Sequence, residues 1–260
     1  MLLLKSAFAR NRFVSEAIKY LRSRRRTSFG KVASRFEGAR GLEIGGPSPI
    51  FSRHGPFPIY AMVGSLDNVN FSGSTYWSSV ADQGLFEFDG QKPAGIQLIS
   101  DAVRLSAIED GAVDLLICSH VIEHIANPLK ALVEWRRVLR IGGTLVVVAP
   151  DKRYTYDRRR PTTALTHLVD DFERRVEEDD STHFAEILAL HDLSNDGSTA
   201  SPVEHRDRTL RNAENRMAHH HVFDLPLLKS VLVRSGFVPI VEDAFRPYHL
   251  LVVASKYEQP

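Results

Sequence analysis

The chain predicts an α/β fold: a doubly wound, mostly parallel sheet with an antiparallel C-terminal hairpin and an inserted lid. Three observations predict it. The first is Leu42-Glu43-Ile44-Gly45-Gly46-Pro47, a glycine pair behind an acidic residue at the end of an apolar strand. Glycine has no Cβ, so the backbone there approaches a ligand closely. The second is a set of downstream markers in a fixed order: Asp67, the pair Asp101-Ala102, and the apolar run 113–118. An acid about 20 residues beyond a glycine turn marks the ligand edge of such a sheet. The third is the pair of apolar runs at 238–242 and 250–255, near enough in sequence to close a hairpin.

Residues 41–45 read as the first strand and 59–63 as the second. Between them Pro47, Pro49, Pro56 and Pro58 leave room for a turn or two near residues 50–53 rather than a crossover helix. Residues 64–95, rich in Ser, Gly and Asp, read as loop with at most a short helix. Residues 96–99 and 113–118 are the third and fourth strands. Asn127-Pro128 opens a helix, with Asn as N-cap and Pro at the first position. Its apolar face is Leu129, Leu132, Val133, Val138 and Leu139, and Gly142 is placed to stop it in the left-handed conformation. Residues 144–149 form a continuous apolar run, suited to a strand buried on both faces. Residues 225–234 form the last helix.

Four parts result: a basic helical arm at 1–37, a half-domain at 38–150, an inserted lid at 151–221, and a closing helix and hairpin at 222–260. The lid is expected because an insertion after the fifth strand leaves from the carboxyl edge, where ligands bind. Its charges divide into a basic cluster (Lys152, Arg153, Arg158, Arg159, Arg160) and an acidic one (Asp170, Asp171, Glu173 and the acids at 177–180). A solvated structural elaboration is the plainer reading of the same segment.

Hydrophobic residues make up 43% of the 260, enough for a full core, and the formal charge of +1 excludes a strong global field for nucleic acid. The single cysteine, Cys118, sits inside an apolar strand and reads as a buried structural thiol. With no second cysteine it forms no internal disulfide, which predicts a reducing, cytoplasmic compartment. No apolar stretch reaches the roughly 18 residues of a membrane span, and Met1-Leu2-Leu3-Leu4 is too short for a signal-peptide core. The first 40 residues carry eleven Lys and Arg against Glu16 and Glu37. Phe8, Phe13, Val14, Ala17, Ile18 and Leu21 form one helical face there. Three readings of this arm stand: docking on its own domain or on a second subunit as a homodimer, peripheral contact with anionic lipid, and a grip on an anionic substrate.

Glu43-Ile44-Gly45-Gly46, Asp67, Asp101-Ala102, Ser119-His120-Val121-Ile122-Glu123-His124-Ile125 and Val138-Leu139-Arg140-Ile141-Gly142-Gly143 form a motif series. It resembles that of class I S-adenosylmethionine-dependent methyltransferases of the type 11 kind, over roughly residues 38–150 and 222–256. The resemblance implies a Rossmann-like sheet and S-adenosylmethionine as cofactor. Glu43, Gly45 and Gly46 would line its methionine end, Asp67 would take the ribose hydroxyls, Asp101 and Ala102 the adenine edge, and Ser119 and His120 the rim near the methyl. The family's usual third glycine is absent here, and Pro47-Ser48-Pro49 stands in its place. Residues 150–161 and 219–224 are similar to bacterial sugar and polysaccharide O-methyltransferases, such as those of O-antigen or mycobacterial methylmannose polysaccharide pathways.

Methyl transfer to an alcohol needs a base or a metal to remove a proton of high pKa. His120 and His124 follow the fourth strand and Asp151 the fifth, so all three are expected at the carboxyl edge. Sugar-modifying members of the resembled family often carry a histidine in the Glu-His position and an acid after strand five, which maps onto His124 and Asp151. The plainer reading makes Glu123-His124 a structural pair. Eight of the eleven histidines lie beyond residue 160, three of them consecutive. In an extended chain His219 and His221 point one way and His220 the other. Asp151, His219 and His220 are the candidate metal set, for Mg²⁺ or another divalent ion, although the spacing matches no zinc signature. Pocket histidines held by hydrogen bonds, and surface histidines, are the other two readings.

The expected activity is O-methylation of a carbohydrate or similar polar hydroxyl compound. The alternatives are a methyltransferase for a lipid, quinone or protein carboxylate with the arm as a membrane tether, and a cofactor-binding regulatory protein without turnover. No Asn-Pro-Pro-Tyr-like tetrad or Pro-Cys follows the fourth strand, and aromatic residues are not interleaved with basic ones, so no nucleic acid partner is expected.

Overall fold

The computed structural model describes residues 26–75, 84–197 and 201–258. Its sheet has eight strands: β1 (Arg40–Ile44), β2 (Ser65–Asn70), β3 (Leu85–Phe86), β4 (Gly95–Ile99), β5 (Val113–Ser119), β6 (Leu139–Pro150), β7 (Phe237–Phe245) and β8 (His249–Lys256). Their order is β3-β4-β2-β1-β5-β6-β8-β7. The pairs β4–β2, β2–β1, β1–β5 and β5–β6 are parallel, whereas β3–β4, β6–β8 and β8–β7 are antiparallel. The doubly wound sheet with its antiparallel C-terminal hairpin is therefore as expected.

Side chains alternate across the pleat, and both faces are covered. Leu116 and Cys118 of β5, Leu145 and Val147 of β6, and Val252 of β8 pack on one face with Trp135 and Leu228 from the helices Pro128–Val138 and Leu225–Arg234. Leu115, Ile117, Val146, Val148, Leu251 and Val253 pack on the other, against Phe29, Phe36, Phe51 and Phe57. Cys118 is buried, as predicted.

The helix caps are local, and the Asn127 cap is the one expected. Asn127 Oδ1 accepts from Lys130 N at 3.0 Å, and Asp224 Oδ1 accepts from Leu227 N at 2.8 Å, each cap contributing about 1 kcal/mol. Gly142 has a positive φ of 75°, yet the helix ends at Val138 and the chain is already in β6 there.

The second strand is a correction. Residues 59–63 form turns, not a strand: Val63 N and Met62 N both donate to Ile59 O. Ile59, Tyr60 and Val63 are apolar because they pack under the sheet, and a short apolar run does not distinguish a strand from a buried turn. The strand is Ser65–Asn70, inside the stretch expected to be loop. Its polar Asn68 is buried, with partners on both sides: Nδ2 donates to Gln97 Oε1 at 2.9 Å, and Oδ1 accepts from Gly46 N at 2.9 Å. The proline-rich 45–64 connection holds one 3-10 turn, Pro49–Phe51, and no α-helix.

Residues 1–25, which carry the predicted apolar face of the arm, lie outside the described residues. Of the arm's end, Arg26 pairs with Asp243 at 3.1 Å and the helix Thr27–Gly30 comes next. Among the described residues no helix is long and apolar enough to cross a membrane.

Candidate active site

The carboxyl ends of the parallel strands open into a cavity of about 550 Å³. β1 leads to Gly45, Pro47 and Ser48, β2 ends on Val69 and Asn70, and β4 leads to Ser100, Asp101 and Ala102. Ser119, His120 and Val121 come from β5, and Pro150 from β6. Tyr154, Tyr156, Asp196, Arg208, Arg216 and His219, all from residues 151–221, line it as well, with Tyr248 from the hairpin turn.

At Gly45 the chain requires glycine twice over. Its φ is 79°, and a Cβ would meet Val121 Cγ2 at 2.6 Å. The neighbouring Gly46 is held from behind by Asn68, which bonds both its N–H and its carbonyl. Glu43 lies beneath this loop and off the cavity wall. Tyr60 donates to its Oε2 at 2.7 Å, and a Cβ on Gly46 would meet its Cδ at 2.4 Å. Burial pushes the Glu43 carboxyl up to about 7. Glu43 and Gly46 thus support the loop, which corrects their expected place on the wall.

Asp67 is a second correction. It sits three residues short of the end of β2, and its Oδ1 accepts from Ile96 N at 2.8 Å. Asn70 occupies the carboxyl end instead, buried on the cavity wall with Nδ2 unpartnered. Asp101, Ala102, Ser119 and His120 line the cavity, and Arg216 donates to Asp101 Oδ2 at 3.2 Å.

The densest chemistry lies just beyond β5. Glu123 is 1% exposed, and neither carboxylate oxygen has a hydrogen-bond partner. Three imidazoles surround its Oε1: His120 Nδ1 at 3.7 Å, His124 Nε2 at 3.8 Å and His219 Nε2 at 4.0 Å. Burial pushes the Glu123 carboxyl up to about 7, against the opposing pull of His219. Burial and the neighbouring imidazoles push His120 and His124 well below the ordinary histidine range, so both are neutral bases at pH 7. His120 has a φ of 56°, a left-handed conformation unusual for a side-chain-bearing residue, and its Nε2 lies 2.9 Å from His249 Nδ1. His124 Nδ1 donates to Ala218 O at 3.2 Å, which leaves Nε2 as the lone-pair nitrogen of the neutral ring.

His219 is held at both nitrogens. Nδ1 bonds the Asp157 carboxylate, and Tyr156 O–H donates to Nε2 at 2.6 Å. Burial alone would raise Asp157, but His219 and Arg160 outweigh it and draw the carboxyl down to about 2.

The predicted metal set does not assemble. Asp151 is bound by Arg153, with Nη2 to Oδ2 at 2.6 Å and Nε to Oδ1 at 2.9 Å. It lies off the cavity wall, which also removes it as a partner for His124. The expected alternation does not hold: His219 lines the cavity whereas neither His220 nor His221 does, because residues 220 and 221 are bends rather than extended chain. His220 Nε2 accepts from Asn212 Nδ2 at 3.0 Å. Glu123, His124 and His219 do offer donor atoms within 4.8 Å of one another. Imidazole-rich sets do not suit Mg²⁺, which takes oxygen ligands, and His219 would have to give up Tyr156. Glu123, Asn70, Asn68, Tyr156 and Asp157 were not singled out in the sequence. The Glu-His pair was the one available signal for Glu123, and Tyr156-Asp157 lies inside the segment 150–161 already noted.

Residues 80–147 match the family model described as a methyltransferase domain. A stretch of 44 residues is 50% identical to an "Uncharacterized 37.1 kDa protein in transposon TN4556" of Streptomyces fradiae, covering 17% of this chain and 13% of that protein. Among solved structures, a SAM-dependent methyltransferase from Aquifex aeolicus is 16% identical at a TM-score of 0.45, covering 92% of this chain and 96% of that one. An S-adenosylmethionine-dependent methyltransferase from Mesorhizobium loti is 14% identical at 0.49, covering 85% and 93%. The 1,6-didemethyltoxoflavin-N1-methyltransferase of Burkholderia thailandensis, solved with S-adenosylhomocysteine, is 13% identical at 0.48, covering 99% and 88%. The family match thus falls on β3, β4, β5 and most of β6, and the carboxyl ends of the last three lead to the cavity.

Proposed function

We propose that the chain methylates a hydroxyl of a sugar, oligosaccharide or similar polar compound in the cytoplasm. The observation that carries this reading is Glu123, a buried carboxylate without a hydrogen-bond partner, ringed by His120, His124 and His219 on the cavity wall. A hydroxyl acceptor needs a proton acceptor, whereas softer acceptors do not. The residues 151–221 act as its lid, and their Tyr, Asn, Asp and Arg side chains on the cavity suit a polyhydroxylated ligand.

The residues present fit the cofactor. Asn70 brings an unpartnered buried amide to the end of β2, suited to ribose hydroxyls. Asp101 and Ala102 would take the adenine edge, and Gly45 allows close approach at the methionine end. Bound S-adenosylmethionine supplies an activated methyl group with its own leaving group. His124 Nε2 would take the proton of the acceptor hydroxyl. Glu123, rather than the expected Asp151, then offsets the charge of the imidazolium.

Methyl transfer from labelled S-adenosylmethionine to a panel of sugars tests the reading. His124→Ala lowers turnover by about 10²–10⁴ while cofactor affinity is unchanged. A variant that keeps wild-type turnover removes His124 as the base, and a panel without any methylated hydroxyl removes the acceptor class.

A further inference from the structure

Away from the cavity, four side chains from separate parts of residues 151–221 converge. His167 and Asp171 stand one turn apart on the helix Leu165–Glu173. His183 precedes the helix Phe184–Leu190, and His221 closes the triple histidine. None of the four lines the cavity. One donor atom from each lies within 4.8 Å of those of the other three.

We propose that His167, Asp171, His183 and His221 form a site for a divalent cation of the zinc class that clips this segment together. Three imidazoles and one carboxylate form a donor set that suits zinc and disfavours magnesium or calcium. His167 Nε2 lies 3.1 Å from His183 Nε2 and 3.3 Å from Asp171 Oδ2. Tetrahedral bonds of about 2.0–2.1 Å place ligand atoms roughly 3.4 Å apart. Two ring nitrogens facing each other at 3.1 Å share one proton at most, and a cation between them would use both lone pairs.

Two orphaned atoms point independently to a ligand. Asp171 Oδ2 and His221 Nδ1 are buried and have no hydrogen-bond partner, a state that interiors rarely leave unsatisfied. His221 Nε2 donates to Ala126 O at 3.0 Å, which fixes the tautomer and leaves the lone pair on Nδ1. Metal-bound histidines are commonly oriented by such an outer hydrogen bond. His167 is 41% exposed in its side chain and provides an entry path.

The site would hold a long excursion in place. Asp171 O accepts from Asn127 Nδ2 at 3.1 Å, so the same turn is tied to the start of the helix Pro128–Val138. A neighbouring set, Asp180, His183 and His220, shares one residue with the site, and the experiment separates the two.

The full chain, stripped with EDTA and dialysed, is titrated with ZnCl₂ by calorimetry and by thermal melting. One equivalent is expected to bind with Kd below about 1 µM and to raise Tm. His167→Ala, at a partly exposed position, lowers that affinity by at least roughly 100-fold, with the far-UV spectrum unchanged. His220→Ala and His124→Ala keep the equivalent. Three results overturn the site: no saturable zinc binding, affinity indifferent to His167→Ala, or loss of the equivalent in His220→Ala or His124→Ala.

Discussion

Glu123→Gln separates what this residue costs the fold from what it does. The Glu123 carboxyl is pushed by burial from 4.5 to about 7. The folded chain therefore keeps this proton to a higher pH than the unfolded chain does. Its contribution to stability is fully present below pH 4.5 and is lost as pH rises through 7. Such a rise corresponds to about 3 kcal/mol, and integrating between pH 5 and pH 8 leaves a loss of roughly 2–3 kcal/mol. Glutamine has nearly the same shape and does not ionise. Urea unfolding of both proteins at pH 5 and pH 8 should show the variant gaining roughly 2–3 kcal/mol relative to wild type between the two pH values. Constant packing differences cancel in that comparison, as do Glu43 and Glu178, buried acids also raised to about 7. Turnover should fall in the same variant, the usual exchange of stability for function at such sites. Equal pH dependence in the two proteins would refute the reasoning.

Two further outcomes are expected from the geometry. Arg160 is 1% exposed and donates to Asp157 Oδ1, Glu186 Oε1 and the carbonyls of His219 and His220. Arg160→Ala leaves Asp157 buried without its guanidinium, held only by the His219 N–H, and should cost about 3–5 kcal/mol in urea unfolding. Asn70→Ala should raise the Kd for S-adenosylhomocysteine by about 2- to 12-fold, the value of one net hydrogen bond, whereas Asp67→Ala should leave it unchanged by calorimetry. The reverse pattern would return the ribose to Asp67.

Much of the frame was written in short-range pattern. The runs in β5, β6 and β8 are apolar at every position because both faces are covered, and that pattern needs no partner to be read. Asn127-Pro128 and the Asp224 cap act within three residues. The carboxyl-edge rule then brought Gly45, Asp101, Ala102, Ser119, His120 and His124 to the cavity. The second strand was not legible, because Ser65–Asn70 is polar and its Asn68 is satisfied by Gly46 and Gln97, 22 and 29 residues away. Misplacing that strand set Asp67, rather than Asn70, at its carboxyl end.

The composition of the site was decided only by the tertiary structure. The spacing that suggested Asp151 for chemistry also brought Arg153 two residues on, and the local ion pair won. Alternation would have put His221 beside His219, yet His221 lies off the cavity wall, and His219 is held on it by Asp157, 62 residues upstream. Glu123 is an ordinary acid in the sequence. It becomes a raised, unpartnered carboxylate because β5 and the return at His219 exclude water around it. Sequence by itself determined the apolar strands, the Asn127 cap and the carboxyl edge of the sheet, since these rest on neighbours a few residues apart. Burial and charge partners come from residues 60 or more positions away, and they set which side chains can move a proton.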